Sequence, residues 1–321
     1  MAGELVRRRR PFAGTPIVLS ELAFRVAPSD PTDSPGMIVE LLRRARRAGV
    51  TTFDAVDVPD PPLAELLLAR AFPTGDPDVV VIGPGPRAEA TGRPAGWGRT
   101  PQLPPRPPVF DVASPAASPS FVRLVPQGAA DPGVKLPAGA DRAGLAPLAL
   151  IPCSTPEEVA AAALRAGPKL LVGALSLLDQ RLLRAAERAS GTGDVGWVAR
   201  DPFAGGRLDG RRFLPSGAPA HGAPPTLRQL DADFAPVARL SFLARTGQRT
   251  LAQAALRFLL ERPWVATVCL PLPTPDRWQE IVGFRSSPGL DEEELRRAEG
   301  TAESPSERSP TVAAARAGDA R

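Results

Sequence analysis

Short apolar runs alternate with capped helical stretches along most of this chain, and that alternation is what most limits its fold. A strand followed each time by a helix cannot pair with its successor through a tight hairpin. It pairs in parallel, by a right-handed crossover, so the chain belongs to the α/β class. Such units close either as a doubly wound open sheet or as a barrel. The open, nucleotide-binding form has a poor signal here. Gly83-Pro84-Gly85-Pro86 follows a strand, but its prolines leave no helix N-terminus to cradle a pyrophosphate.

The units themselves are legible. Ser34-Pro35 supplies an N-cap and a first-turn proline, and Met37, Ile38, Leu41, Leu42, Ala45 and Ala48 mark one helical face that Gly49 ends. Val50 to Phe53 reads as a buried strand running into Asp54, Pro61 to Phe72 as a helix, and Val79 to Ile82 as a strand. Beyond the middle, Leu148–Ile151, Leu170–Leu175, Val195–Ala199 and Val265–Leu270 read as strands. Helices are expected over Pro156–Ala166, opened by the box Thr155-Pro156-Glu157-Glu158, and over Leu178–Ala189. Another runs from the cap at Thr250 and Gln253 to Leu260, and one more starts at Thr274-Pro275.

Between Pro84 and Pro126 there are eleven prolines, which exclude helices and central strands from most of that stretch. Pro119 to Val125 has room for one short element. Residues 84–144 therefore form a degenerate, irregular middle, and the tail 300–321, small and polar, is expected to be disordered. Residues 1–299 make up the folded unit. Arg7 to Arg10 reads as a solvated N-terminal arm.

The net charge of +4 comes from arginines dispersed among acids, so nucleic acid is not an expected partner. No apolar run reaches the length that spans a bilayer, and Pro11, Gly14 and Pro16 interrupt any signal-peptide core, so the expectation is a cytoplasmic protein. Cys153 and Cys269 have no metal-ligand spacing and lie in apolar stretches, where a buried free thiol is expected. No metal is expected.

Three stretches resemble the aldo-keto reductase family. Gly14-Thr15-Pro16 through Ser20-Glu21-Leu22-Ala23-Phe24 is similar to its opening hairpin and first strand. The helix from Pro35 and Phe53-Asp54-Ala55-Val56-Asp57-Val58-Pro59-Asp60 resemble its pattern around the catalytic aspartate and tyrosine. Ser176-Leu177-Leu178-Asp179, Val195 to Gly210 and, without a gap, Thr250 to Glu280 resemble its later units. The resemblance implies a (β/α)8 TIM barrel of aldo-keto reductase type with a degenerate middle rich in proline.

It also implies NADPH as cofactor and a chemistry to compare with this chain. In the family a tyrosine gives a proton to a carbonyl that receives hydride, a lysine and an aspartate lower that tyrosine's pKa, and a histidine commonly orients the substrate. Asp54 matches the aspartate, and a buried acid at a strand end calls for a cationic partner such as an arginine. Pro59 stands at the tyrosine position, and Gly83, Pro84 and Gly85 where the lysine would lie. The chain has no tyrosine at all, so no other alignment can supply one. Lys135 and His221 are the alternative acids, both in loop-like sequence.

The cofactor positions depart as well. Pro152-Cys153 and Val172 replace the carboxamide clamp, Pro271, Leu272 and Pro273 the phosphate loop, and Ile281 an adenine-contacting asparagine. Arg277, Glu280, Phe203, Gly206 and Leu208 keep the family register as candidate cofactor contacts, Arg277 as the grip for a 2′-phosphate. These departures weigh against NADPH binding. The expected function is that of an aldo-keto-reductase-like pseudoenzyme with a binding or regulatory role, its partner a small molecule or a protein. The alternatives are an active NADPH-dependent aldo/keto oxidoreductase with non-standard residues, or another activity using Asp54 and Asp57 as acids.

Overall fold

The computed structural model describes residues 9–11, 18–27, 33–55, 58, 60–73, 76, 78–83, 122–124, 149–165, 169–191, 195–213 and 227–301. The candidates Pro59, Asp57, Lys135 and His221, most of the middle over 84–144, and the tail beyond Thr301 lie outside them.

The chain opens with a hairpin, β1 (Arg9–Pro11) paired antiparallel with β2 (Val18–Ser20). Arg9 and Arg10 are thus strand residues and not part of an unstructured arm. The reason is non-local: the hairpin lies against the barrel, and Leu19 joins the barrel's interior cluster with no exposure. The first barrel strand, β3 (Leu22–Arg25), leads to α1 (Pro35–Arg47), whose N-cap Ser34 accepts from the Met37 amide at 3.2 Å. The helix stops where Gly49 takes φ +95°. Then come β4 (Thr52–Asp54), α2 (Pro61–Ala71), β5 (Val80–Ile82) and β6 (Val122–Leu124), the last falling inside the window that had room for one short element.

The second half is more regular: β7 (Ala149–Pro152), α3 (Pro156–Ala163), β8 (Lys169–Ala174), α4 (Arg181–Ser190) and β9 (Val195–Arg200). After β9 follow α5 (Leu227–Arg239), α6 (Leu251–Leu260), β10 (Val265–Leu270), α7 (Trp278–Val282) and α8 (Glu292–Gly300). The capping boxes at Thr155/Glu158 and Thr250/Gln253 form as read from sequence. Helix α4 starts three residues later than its apolar pattern suggests, because Ser176 Oγ accepts from the Asp179 amide at 3.1 Å and holds a separate turn.

Eight strands make one parallel sheet in the order β6-β5-β4-β3-β10-β9-β8-β7. The first and last barrel strands pair directly, Ala23 beside Cys269 and Phe24 beside Leu270. Neighbours in the sheet are otherwise neighbours in sequence, which is the circular order of a (β/α)8 barrel and not that of an open sheet. The ladder that would join β6 to β7 is not among the described pairings.

Alternation sorts the strand residues into two cores. Ala23, Val80, Ile82, Leu150, Leu170, Val172, Val198, Ala266 and Cys269 fill the barrel. A register shift between Val265 and Thr267 lets Ala266 and Cys269, three residues apart, both face inward. Leu22, Phe24, Phe53, Val81 and Trp197 point outward into the layer under the helices. Gly173 marks the tightest approach there: a Cβ on it would lie 2.5 Å from the Cys153 carbonyl oxygen and 2.7 Å from Leu182.

Candidate functional site at the barrel mouth

Every parallel strand ends at the same rim, so the inward residues at their C-terminal ends share one mouth. Arg25, in phase with Ala23, and Ile82 flank Asp54 in register on the adjacent strands. Arg200 closes β9, and Cys269 lies one level down on β10. The Asp54 carboxylate, 3% exposed, forms an ion pair with Arg200 Nη2. Arg200 is the cationic partner that burial of the acid demanded.

The Cys269 thiol lies close enough to this pair to feel both charges. Burial pushes its pKa well above the ordinary range, the Asp54 carboxylate adds to the rise and the Arg200 guanidinium opposes it, so the thiol is neutral at pH 7. Cys153, at the end of β7, is pushed up to about 12 by burial and then by Glu158. Both thiols are free and buried, as their apolar settings suggested. At the lysine position, Gly83 has φ +144°, and a Cβ there would lie 3.0 Å from the Ala55 backbone. No side chain fits at that spot without moving the chain beside Asp54.

The mouth can therefore do limited chemistry with the described residues. Arg200 can stabilise a developing oxyanion but does not give up a proton at neutral pH. Asp54, held against a guanidinium, is an acceptor. Cys269 is the one described group of this cluster that carries a dissociable proton.

The loop after β9 carries the other candidates. Asp201 and Ala204 take positive φ of 48° and 51°, and Gly205 and Gly206 continue at 69° and 84°, with the Gly205 amide donating to Asp201 Oδ1 at 2.8 Å. Phe203 and Leu208 are buried, and the Leu208 amide donates to the Phe203 carbonyl at 3.0 Å. Phe203 and Arg277 line a pocket of about 40 Å³ with Asp209, Arg211, Pro271 and Ile281. Leu208 and Glu280 line an adjoining cleft of about 300 Å³ with Phe213, Phe234 and the start of α6. The structure thus brings four of the five cofactor candidates to two neighbouring hollows, with Gly206 in the turn between them.

Sequence reading missed Asp209. It is 3% exposed and faces Arg277 at 3.3 Å and Arg211 at 2.7 Å. Its one signal was its place in the stretch resembling the family, where the pattern specifies no acid. Among the described residues, no group of three or more His, Cys, Asp or Glu could hold a metal, and no helix is long and apolar enough to cross a membrane.

The fold defines the class, a parallel (β/α)8 barrel with its candidate site at the C-terminal mouth. The sequence profile of the aldo/keto reductase family matches residues 160–303. An aldo-keto reductase from Bacillus halodurans superposes in its apo form with a TM-score of 0.59 at 15% identity, covering 92% of this chain and 96% of that one. Its holo form gives 0.60 at the same identity and coverage. No curated protein sequence matches. The chain is similar to the aldo/keto reductase family in sequence over residues 160–303, and its fold is the barrel of the aldo-keto reductase structures it superposes on.

That family implies a nicotinamide dinucleotide, and the residues present do not fit one with a 2′-phosphate. Each guanidinium nitrogen of Arg277 already donates, Nε and Nη2 to Glu280 and Nη1 to the Asp209 carbonyl. Pro271 and Pro273 offer no N–H where a phosphate loop needs donors. The pocket beside them has room for a few waters.

Proposed function

We propose that this protein is a binding or regulatory barrel of aldo-keto reductase descent and not a carbonyl reductase, acting in the cytoplasm on a small-molecule or protein partner. One observation carries the reading: Asp54, the retained acid, is committed to Arg200 in a chain that contains no tyrosine. An acid whose family role is to tune a phenol has no phenol to tune, and its charge is neutralised by a guanidinium instead. Mixing the purified protein with NADPH and a panel of aldehydes should give no aldehyde-dependent oxidation of the cofactor. Turnover at rates typical of enzymes, on the order of 1 s⁻¹ or above, sinks the reading.

The second reading, an NADPH-dependent oxidoreductase with non-standard residues, is favoured by the neutral Cys269 thiol beside Asp54 and Arg200. There the thiol would donate the proton and Arg200 would steady the oxyanion. On that reading any turnover found must vanish in Cys269→Ala while NADPH affinity stays the same.

A further inference from the structure

The hollow between the β9 loop and the start of α7 holds a charge cluster closed on itself. Arg277 Nε and Nη2 donate to Glu280 Oε2 at 3.0 and 2.6 Å. Its Nη1 donates to the Asp209 carbonyl at 2.8 Å and stands 3.3 Å from Asp209 Oδ2. Arg211 Nε donates to the same Oδ2 at 2.7 Å, and the Arg211 amide is 3.3 Å from Oδ1. Two cations thus meet two carboxylates before any ligand arrives. The surrounding wall, Phe203, Leu272, Pro273 and Ile281, is apolar.

We propose that Asp209 is a specificity determinant: it occupies the place of a ligand phosphate between Arg211 and Arg277, and so sets this end of the barrel against 2′-phosphorylated nucleotides. A phosphate monoester brings roughly −1.5 to −2 charges. Set against Arg277 it would face the Asp209 and Glu280 carboxylates in a neutral cluster, at a net cost. To take the guanidinium it must displace Asp209, whose side chain is 3% exposed and would be left buried without its cations. Neutralising Asp209 reverses the balance. Arg211 then loses the carboxylate of Asp209, and Arg277 keeps Glu280 but no longer faces a second acid, so an incoming phosphate meets a net positive charge.

This inference relies on the reading above only for where a nucleotide's adenosine end would lie. Its test is therefore kept away from hydride transfer. The full chain is titrated calorimetrically with adenosine 2′,5′-bisphosphate and with adenosine 5′-monophosphate, neither of which has a nicotinamide. The wild-type protein should bind the bisphosphate no more tightly than the monophosphate. Asp209→Asn should gain at least about tenfold for the bisphosphate, about 1.4 kcal/mol, without a matching gain for the monophosphate. Adding Arg277→Met should remove that gain. A tenfold wild-type preference for the bisphosphate overturns the proposal, and so does an unchanged affinity in Asp209→Asn. If circular dichroism shows that variant unfolded, Glu280→Gln serves instead: it releases Arg277 from the other side and should show a smaller gain, none being again a refutation.

Discussion

The centre of the mouth and its rim each hold a family-register residue neutralised by a partner the family pattern does not specify. Asp54 is held by Arg200, and Arg277 by Asp209. In both pairs the carboxylate is 3% exposed and the guanidinium 21%. The stoichiometry differs. At the centre one acid meets the guanidinium of Arg200 above a neutral thiol and an apolar barrel filling, whereas at the rim two arginines share two acids. A charge lost at the centre removes the ion-pair partner of a group set in the barrel mouth, with the carboxylate 3% exposed. A charge lost at the rim leaves an arginine still facing another acid. The centre is therefore fixed by stability, while the rim can be re-tuned.

The sharpest way to break this contrast is Arg200→Met. It should cost about 3–5 kcal/mol by removing the ion-pair partner of a buried carboxylate, and the double variant Asp54→Leu/Arg200→Met should recover most of that loss. Denaturant melts of the four proteins measure the coupling, and simple additivity would show that the pair is not a unit. A pH series comes next. Both thiols have folded pKa values raised above the unfolded value, so their stabilisation is complete below about pH 9 and is lost as pH rises above it, for Cys153 towards 12. With no tyrosine and two lysines, few other groups titrate in that window. Melting temperature should fall there by several degrees, less so in a Cys153→Ala/Cys269→Ala variant.

At the rim the losses should be smaller. Asp209→Asn should lower stability by about 1–2 kcal/mol, because a charge-assisted hydrogen bond is weakened while Glu280 still holds Arg277. Glu280→Gln should cost under about 1 kcal/mol, as expected of a pair with both partners partly in water. A rim variant as damaging as Arg200→Met would erase the distinction.

How much of this the sequence disclosed depended on distance along the chain. Ser34, Thr155 and Thr250 announce their helices because a cap acts within three residues. The alternation of elements gave a parallel α/β sheet, the resemblance to the aldo-keto reductase pattern pointed to the barrel, and the burial of Asp54 called for a cation. Which cation could not be read, since Arg200 lies 146 residues away and reaches Asp54 only after β10 pairs with β3. Asp209 and Arg277 are 68 residues apart and meet for the same reason. Helix α5 escaped notice because Pro236 interrupts its pattern, and the strand at Arg9–Pro11 because it is fixed by β2 and not by its own three residues. Position-by-position comparison with a family pattern finds what is missing. It does not find what has moved in.

The absence of tyrosine also gives the protein a simple optical spectrum. Its near-ultraviolet absorption and emission come from four tryptophans, with no phenol emission to subtract. Trp197 and Trp264 stand edge to face at 6.3 Å across the junction of β9 with the start of β10. Trp278, the residue after Arg277, packs against Phe24 at 6.2 Å with the Arg44 guanidinium 4.4 Å from its ring. Among the described residues, one indole pair thus reports on the barrel wall and a single indole on the rim, while Trp97 lies outside them. A ligand that moves α7 should shift the emission of Trp278, while the circular dichroism of the coupled pair stays constant until the barrel itself opens.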